Sequence, residues 1–428
     1  MQIRRVAIDG FKNVYNVNLN LDKITALVSL NNYGKSNVLA GIDFGLSFIK
    51  ANAEVKLNMM SNANLIPMNK KTCGQNYMFE IEAVTNIGDK VYIVEYGYSF
   101  SWKTDEEKNP TIIEEHLRIR FDDRGQKYNK LVIRENENTL YKRTDTGRCS
   151  SKLRTESIEL AVNKLRAYDE LYYLDIIRDI NSLRMYMENN LDAKSFYQPN
   201  PIIYKGLSDM MVDSNNLPRV IFKLKNDYPD KYELLKNVYM QLFPNIENII
   251  VKQFKLDREE DAILPDDAPF IVANSYYLLY VKDSSLIHPI DFAMMSDGAK
   301  RVFMILTKII LAKISNISLI AIEEPENSIH PSLFRAYISI INQLVDDCRV
   351  IITSHSPYII NYLDPSWIRV GVNRNYGVAE FYPFKATGKN MLTKDAIEFD
   401  MTVGDYLFSI LSDTDNDLTE YLECRTNE

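Results

Sequence analysis

Hydrophobic and polar positions change their period several times along the chain, and each change predicts a different kind of element. Ile3–Ile8 and Val17–Leu21 read as two short strands, and the mostly apolar run Ile24–Val28 reads as a buried strand. A short polar segment then leads into Val38, Leu39 and Ile42, which repeat at helical spacing. Residues 52–75 carry few periodic apolar positions and read as a surface insertion. Across residues 78–143 apolar and polar side chains alternate; Phe79, Ile81 and Ala83, for example, interleave with Glu80 and Glu82. This pattern predicts an antiparallel meander with one wet face.

From Ser151 to about Leu242 the period becomes helical. Ile158, Leu160, Leu165, Leu171, Leu174, Ile177, Ile180, Leu183 and Tyr186 form apolar stripes, and Pro218–Leu242 continues them. Strands return at Ile246–Phe254 and Ile271–Val281. After residue 296 the order is helix, strand, helix, strand, a βαβ-type half expected to rejoin the sheet begun at the N-terminus. Residues 385–428 hold one amphipathic helix, Val403–Leu411, and an acidic tail.

A length of 428 residues with 46% apolar and 25% charged residues fits a globular protein with a large core. The net charge of −8 gives no global signature for nucleic acid, although a local basic strip would still create a field. Cys73, Cys149, Cys348 and Cys424 lack metal-site spacing and read as reduced thiols, and the start lacks a signal-peptide pattern, so a cytoplasmic location is expected. No stretch is apolar enough to span a bilayer; Val302–Leu311 is interrupted by Thr307 and Lys308.

Four fragments carry candidate chemistry. The first runs Ser29, Leu30, Asn31, Asn32, Tyr33, Gly34, Lys35, Ser36, between the buried strand and the helix, and continues into Asn37. It reads as a phosphate loop: backbone N–H groups and a helix N-terminus face phosphates, the lysine reaches the β/γ-phosphates of ATP, and the serine after it holds Mg²⁺. Ser29 stands where the pattern has its first glycine. The second fragment is the apolar strand from Leu319 to Ile322 ending in Glu323 and Glu324. Acids there fall at the C-terminal edge of a parallel sheet, with Glu323 as a Mg²⁺ ligand and Glu324 polarising the attacking water. The alternative is a strand ending in solvated acids, which the preceding phosphate loop disfavours. Third, Ser296 precedes Gly298 at the start of an apolar helix and makes a second anion site, or simply a capped helix. Fourth, Ile351–Ser354 delivers His355 to a strand end, where it can reach a γ-phosphate or serve a purely structural role.

In this order the fragments resemble the ABC-type ATPase heads of the SMC/RecF/OLD-like group. The run from Glu323 to Pro331 is similar to the stand-alone AAA-type ATPases of bacterial anti-phage defence systems, the Septu- and PARIS-like ATPase subunits. Asn215 to Phe243 and Pro244 resembles the linker region of that group. The resemblance covers residues 1–50 and 210–375. It implies an α/β fold, a P-loop ABC-type ATPase head with a mixed or antiparallel β subdomain and an inserted helical subdomain. The expected division is residues 1–150 as the N-terminal lobe, 151–245 as the helical insertion, 246–384 as the C-terminal lobe, and 385–428 as a helix and acidic tail.

The resemblance further implies that Lys35 binds the β/γ-phosphates, Ser36 and Glu323 hold Mg²⁺, Glu324 activates water and His355 senses the γ-phosphate. Ser296 and Gly298 would close on the ATP of a second copy, so a homodimer or higher homo-oligomer is expected. Lys12 falls where related heads place a basic residue near the nucleotide. Ile329, His330 and Pro331 fall where a partner-contacting loop lies, and Gln75 is the available candidate for a Q-loop glutamine. Ser29 and the extra methylene of Glu323 imply slow hydrolysis rather than none.

OLD-type relatives carry a nuclease domain after the ATPase, whereas only about 70 residues follow His355. Asp400, Asp405, Asp413, Asp415 and Asp417 read as solvated surface. The leading expectation is therefore an ATP-gated oligomer controlling a separately encoded effector, a nuclease, in anti-phage defence. A RecF- or SMC-like repair ATPase that contacts DNA is the first alternative, with basic clusters at Lys70 and Lys71, at Lys300, Arg301, Lys308 and Lys313, and at Lys223 and Lys225. An ATP-binding scaffold with negligible turnover is the second.

Overall fold

The computed structural model describes the chain apart from residues 89, 105, 124, 189–196, 198–199, 205–215, 257–267, 313, 316, 328, 373–376, 414–417 and 424–428. Asn215, Lys313, Asp415, Asp417 and Cys424 thus lie outside the described residues. The chain divides into two compact units. The first comprises Met1–Met187, Ser318–Glu324 and Asp347–Glu428, and the second Glu188–Ile317 and Pro325–Asp346.

The first unit starts with the antiparallel pair β1 (Gln2–Asp9) and β2 (Val17–Asn20), then β3 (Ile24–Val28), whose five side chains are all buried. Helix α1 (Lys35–Lys50) follows after six residues. The stretch read as a featureless insertion contains a short helix, α2 (Ala53–Met60), started by Asn52, whose side chain accepts from the Val55 N–H at 2.9 Å. Only Lys56 and Met60 of this helix are buried, so it leaves almost no apolar period to read.

The meander expected at 78–143 is present and longer. It comprises β4 (Tyr77–Ile87), β5 (Lys90–Phe100), β6 (Ile112–Phe121), β7 (Asn129–Glu135), β8 (Asn138–Lys142) and β9 (Cys149–Leu153). With β1 and β2 it forms an eight-stranded antiparallel sheet ordered β2-β1-β4-β5-β6-β7-β8-β9. One face packs its aromatic side chains on α1. The Phe48 ring lies 4.9 Å from that of Phe100, and the Tyr77 and Tyr98 hydroxyls donate to the Gly41 and Gly45 carbonyls at 2.9 and 2.8 Å. The two glycines permit this approach. A Cβ on Gly45 would lie 2.2 Å from the Phe79 ring, whereas one on Gly41 would meet the tip of Ile8 at 3.0 Å and the Phe11 ring at 3.2 Å.

The opposite face carries a closed charge network. Glu80 pairs with Arg5, Glu95 pairs with Arg118, and His116 Nε2 lies 3.3 Å from Glu80 and 3.5 Å from Glu95. His116 first and then Arg5 hold the Glu80 carboxyl down to about 2, and its own burial opposes this only in part. Burial alone would push the His116 imidazole down, but the Glu80 and Glu95 carboxylates more than reverse this and hold it above its ordinary value.

After α3 (Ala161–Leu165) and α4 (Leu174–Ser182) the helical reading fails: Met185–Glu188 is a strand, β10. Leu183 and Tyr186, counted as helical stripe positions, therefore lie beyond the helix. Strand β10 edges a second sheet, and a short apolar strand that follows two helices does not break a 3.6-residue period visibly.

The second unit contains β11 (Ile202–Tyr204), α5 (Leu217–Asp227), α6 (Pro229–Leu242), β12 (Ile246–Lys255), β13 (Phe270–Val272), β14 (Ser275–Asp283), β15 (Ile290–Asp291) and α7 (Asp297–Ala312). Asn216 starts α5 by accepting from the Arg219 N–H at 3.1 Å, with Pro218 in the first turn, where its missing N–H costs nothing. Strands β12, β14 and β15 form an antiparallel sheet.

Chain order then gives β16 (Leu319–Glu323), α8 (Pro331–Leu344) of the second unit, β17 (Arg349–Ser354), α9 (Pro357–Tyr362), β18 (Ile368–Gly371) and β19 (Phe381–Pro383). The second sheet is ordered β10-β16-β17-β3-β18-β19, with β16, β17, β3 and β18 parallel. The helix, strand, helix, strand half thus rejoins β3, as its buried apolar runs predict for parallel strands. The C-terminal stretch holds two helices, α10 (Gly388–Glu398) and α11 (Val403–Ser412), where one was expected; α10 buries only Gly388, Leu392 and Ala396. Among the described residues no helix is long and apolar enough to cross a membrane, and Cys73, Cys149 and Cys348 are free thiols.

Two outcomes follow. Gly45→Ala should destabilise by about 1–3 kcal/mol through overpacking against Phe79, while Gly41→Ala should be close to neutral because a helix-propensity gain of roughly 1 kcal/mol offsets its milder contact; urea titration of both variants measures the difference. His116, with a folded value above its unfolded one, contributes stability that is complete below the unfolded value of 6.5 and fades as pH rises through the folded one. Thermal midpoints measured upward from about pH 6 should therefore fall more steeply for the wild type than for His116→Gln.

Candidate functional site

The site is built by strand direction. Strands β3, β17 and β16 are parallel neighbours, so their C-terminal ends lie along one edge at steps of about 4.8 Å. From β3 the chain runs into the phosphate loop, from β17 into His355, and from β16 into Glu324. The structure brings Lys35, Glu323, Glu324 and His355 to this edge. The loop is tied to the histidine strand directly, the Ser29 N–H donating to the Ser354 carbonyl at 3.3 Å.

Within the loop, Asn32 (φ 64°) and Gly34 (φ 84°) are left-handed, and α1 begins at Lys35 with no side-chain cap and no acid in its first turn. Alternating left-handed residues turn successive N–H groups to one side, and an uncapped helix start adds positive potential, the arrangement that suits an anion. Lys35 is buried and spans the loop, its Nζ donating to the Ser29 and Leu30 carbonyls at 2.9 and 2.8 Å and to Ser29 Oγ at 3.3 Å. Asn31, Asn32 and Ser36 are exposed, and Tyr33 is half-buried.

Ser29 explains the missing glycine. Its φ is not positive, so the position makes no conformational demand for glycine. Its side chain is fully buried against Gly371, where a Cβ would stand 2.7 Å from that of Ser29. Gly371 of the adjacent strand β18 supplies the space that the Ser29 side chain fills.

Asn13, which the sequence pattern did not single out, fixes the other side of the loop. Its Oδ1 accepts from Asn37 at 2.8 Å, its Nδ2 donates to the Gly377 carbonyl at 3.0 Å, and its carbonyl accepts from Ala379 N–H at 2.7 Å. A Cβ at Gly34 would approach Asn13 Oδ1 to 2.7 Å, so Gly34 is required for space as well as for φ. Asn13 lies in the tight turn after β1, closed by the Val14 N–H donating to the Phe11 carbonyl at 2.8 Å, and no local pattern in sequence marks it. Lys12 is left-handed (φ 51°), half-buried, with Nζ 5.7 Å from the Phe11 ring centroid.

Glu323 ends β16 opposite Thr353 of β17 and is half-buried. Glu324 adopts a left-handed backbone (φ 48°), a conformation costing about 1 kcal/mol for a non-glycine residue, and its N–H donates to the Thr353 carbonyl at 2.8 Å. The turn aims its carboxylate at His355, with Oε1 2.7 Å from Nδ1. An ionised carboxylate can only accept, so Nδ1 carries the shared hydrogen and Nε2 is left facing away from Glu324. The histidine expected to meet a phosphate is thus a direct partner of the acid.

Ser296 does cap α7, its Oγ accepting from Ala299 N–H at 3.3 Å, and Gly298 is buried in the first turn. Both belong to the second unit. The adjacent basic cluster is not a surface strip. Lys300, Arg301 and Lys308 are buried; the Lys300 ammonium pairs with Asp297 at 2.7 Å and donates to the Ala293 carbonyl at 3.3 Å, so this cluster is removed from the candidate DNA contacts. Lys71 is engaged with Glu380 at 3.3 Å and with the Tyr15 ring. His330 starts α8, its Nδ1 accepting from Ser332 N–H at 3.3 Å, and is exposed. Gln75 lies in the turn before β4, its N–H donating to the Thr72 carbonyl at 3.0 Å.

Residues 1–360 match the family model described as AAA ATPase domain. No curated protein sequence matches the chain. Among solved structures, the chain is similar to an Smc head bound to the C-winged helix domain of ScpA, with 13% identity, a TM-score of 0.51, and coverage of 89% of this chain and 97% of that one. The SMC head domain from Thermotoga maritima aligns at 13% identity with a TM-score of 0.42, covering 90% of this chain and 100% of that one. A Smc head with an extended coiled coil bound to the C-terminal domain of ScpA, derived from Pyrococcus furiosus, aligns at 14% identity with a TM-score of 0.45, covering 93% and 99%. The first likeness concerns the fold alone, and the two weaker ones add no argument to it. Since the family model spans most of its length, the chain belongs to the AAA ATPase domain family, folded as an SMC-type P-loop ATPase head.

Proposed function

We propose that the chain binds ATP with Mg²⁺, hydrolyses it slowly between two copies of itself, and through that closure controls a separately encoded effector, a nuclease, in bacterial anti-phage defence. The observation that carries the enzymatic part is the Glu324–His355 hydrogen bond at the sheet edge into which the phosphate loop also opens. The defence role and the effector rest on the sequence resemblance.

In this reading the loop N–H groups from Asn31 to Ser36 and the start of α1 receive the phosphates, and Asn37 steadies that start through Asn13. Lys35 turns its ammonium from the loop carbonyls toward the β/γ-phosphates, exchanging neutral acceptors for charged ones, which roughly doubles the strength of each hydrogen bond. Lys12 adds positive potential at the loop's flank. Ser36, with its exposed hydroxyl, and Glu323, at the strand end, suit an oxygen-preferring cation. Mg²⁺ held there would neutralise charge on the β/γ-phosphates. Glu324 orients a water for in-line attack on the γ-phosphorus and accepts its proton as the bond to the ADP oxygen breaks. His355 holds Glu324 in position, and its Nε2 is left to meet the γ-phosphate. Ser296 and Gly298 supply a capped helix start to the nucleotide of the second copy, and the exposed His330 lies in the partner contact.

Glu324→Gln should lower kcat by about 10²–10⁴-fold with little change in KM, and should accumulate a heavier, ATP-bound species in sedimentation. Lys35→Ala should lose nucleotide binding and that heavier species together. A Glu324→Gln protein that turns over ATP normally contradicts the enzymatic reading and favours an ATP-binding scaffold.

A further inference from the structure

The corner between α10 and α11 exposes a group of large apolar side chains. Ile397 is 72% exposed, Phe399 64% and, on the adjoining α9, Tyr358 58%, with Met401 also on the surface. The corner is rigidly made. Phe399, Asp400 and Met401 N–H groups donate to the Asp395, Ile397 and Ala396 carbonyls at 3.1, 3.1 and 2.9 Å, and Thr402 caps α11 by accepting from Asp405 N–H at 3.1 Å. Phe399 stacks on Tyr406 with centroids 5.5 Å apart. Gly404 lets α11 close on α9, since a Cβ there would lie 2.0 Å from the Pro357 carbonyl, and Gly404 N–H donates to Asn361 at 3.1 Å. Hydrogen bonds thus fix the backbone that carries these exposed apolar side chains, an arrangement that suits a preorganised contact surface.

Acids outnumber bases around these side chains, with Lys394 the one cation between residues 394 and 405. Asp395, Glu398, Asp400 and Asp405 fall within residues 395–405, a stretch without lysine or arginine. Asp400, exposed between Phe399 and Met401 in the chain, holds a left-handed backbone (φ 54°). Apolar anchors ringed by acids fit a helix with leucine-like residues on one face and lysine or arginine flanking them. A second copy of the same corner would bring two net-acidic surfaces together, and an anionic lipid surface would meet the same excess of acid.

We infer that the α10–α11 corner is the docking surface for a basic amphipathic helix of a partner protein, anchored on Ile397, Phe399, Met401 and Tyr358. The inference deepens the proposed function, on which it rests only for the existence of a separate partner; α9 starts two residues after His355, so the corner adjoins the strand end that bears the site histidine.

The test uses the full chain without nucleotide, so that failure of the ATPase reading leaves the result untouched. A fluorescent leucine/lysine helix of about 14 residues, a scrambled peptide of the same composition and a leucine/glutamate helix are titrated by anisotropy. The wild type should bind the leucine/lysine helix at least about tenfold more tightly than either control. Ile397→Ser with Phe399→Ser should lose that preference, and Glu398→Gln with Asp400→Asn, which keeps the left-handed backbone accessible, should weaken binding and flatten its salt dependence. Thermal midpoints of both variants check that the corner still folds. Equal binding of the scrambled peptide, or undiminished binding by both double variants, overturns the inference. So does a fall in the mass of the free protein on Phe399→Ser, which would make a second copy the occupant.

Discussion

Parallel strand polarity is the constraint from which the candidate chemistry follows. Because β3, β17 and β16 run in the same direction side by side, whatever follows each strand emerges at the same edge. The phosphate loop, the histidine and the acid pair, separated by up to about 320 residues of chain, are thereby set within a few strand spacings. No long-range side-chain contact is needed to assemble them, and the buried, near-continuously apolar strands fix the register on which their spacing depends. The Glu324–His355 hydrogen bond is the local consequence: a left-handed turn after β16 and a strand end at β17 meet because the two strands are adjacent.

The rest of the first unit serves to hold the loop and its helix in place. Gly41 and Gly45 let α1 sink onto the aromatic face of the eight-stranded sheet, where Tyr77 and Tyr98 bond to the helix carbonyls. Asn13 ties the helix start to the strand β1 corner and to Ala379, and Ser29 packs on Gly371. Ser29 is accommodated by the absence of a side chain at Gly371, and its φ is not positive, which removes the reason for expecting it to impair the loop's backbone.

Much of this was legible in residue order. The alternation in β4, the buried run of β3 and the helix-strand succession after residue 296 each reflect a single dominant period, and the four chemical fragments fall at element ends. What escaped has a physical reason in each case. Helices α2 and α10 bury only two or three side chains each, too few to mark a period. Strand β10 is a four-residue edge that inherits the apolar spacing of the helix before it. The lysines and arginine at positions 300, 301 and 308 read as a basic face, yet all three are buried; Asp297 and the Ala293 carbonyl meet Lys300 and the Asn327 carbonyl meets Arg301, because a charged tip can be buried when polar groups meet it. Asn13 gave no signal because a side chain that staples one loop to another across the fold has no local pattern.

The most direct measurement is a double-mutant cycle on ATP turnover with Glu324→Gln, His355→Ala and the pair. If the two side chains act as one unit at the sheet edge, each single change should remove most of the activity and the pair should cost little more than the worse single, a coupling above about 1.5 kcal/mol. Fully additive losses would mean that the acid and the histidine work independently, and would contradict the account.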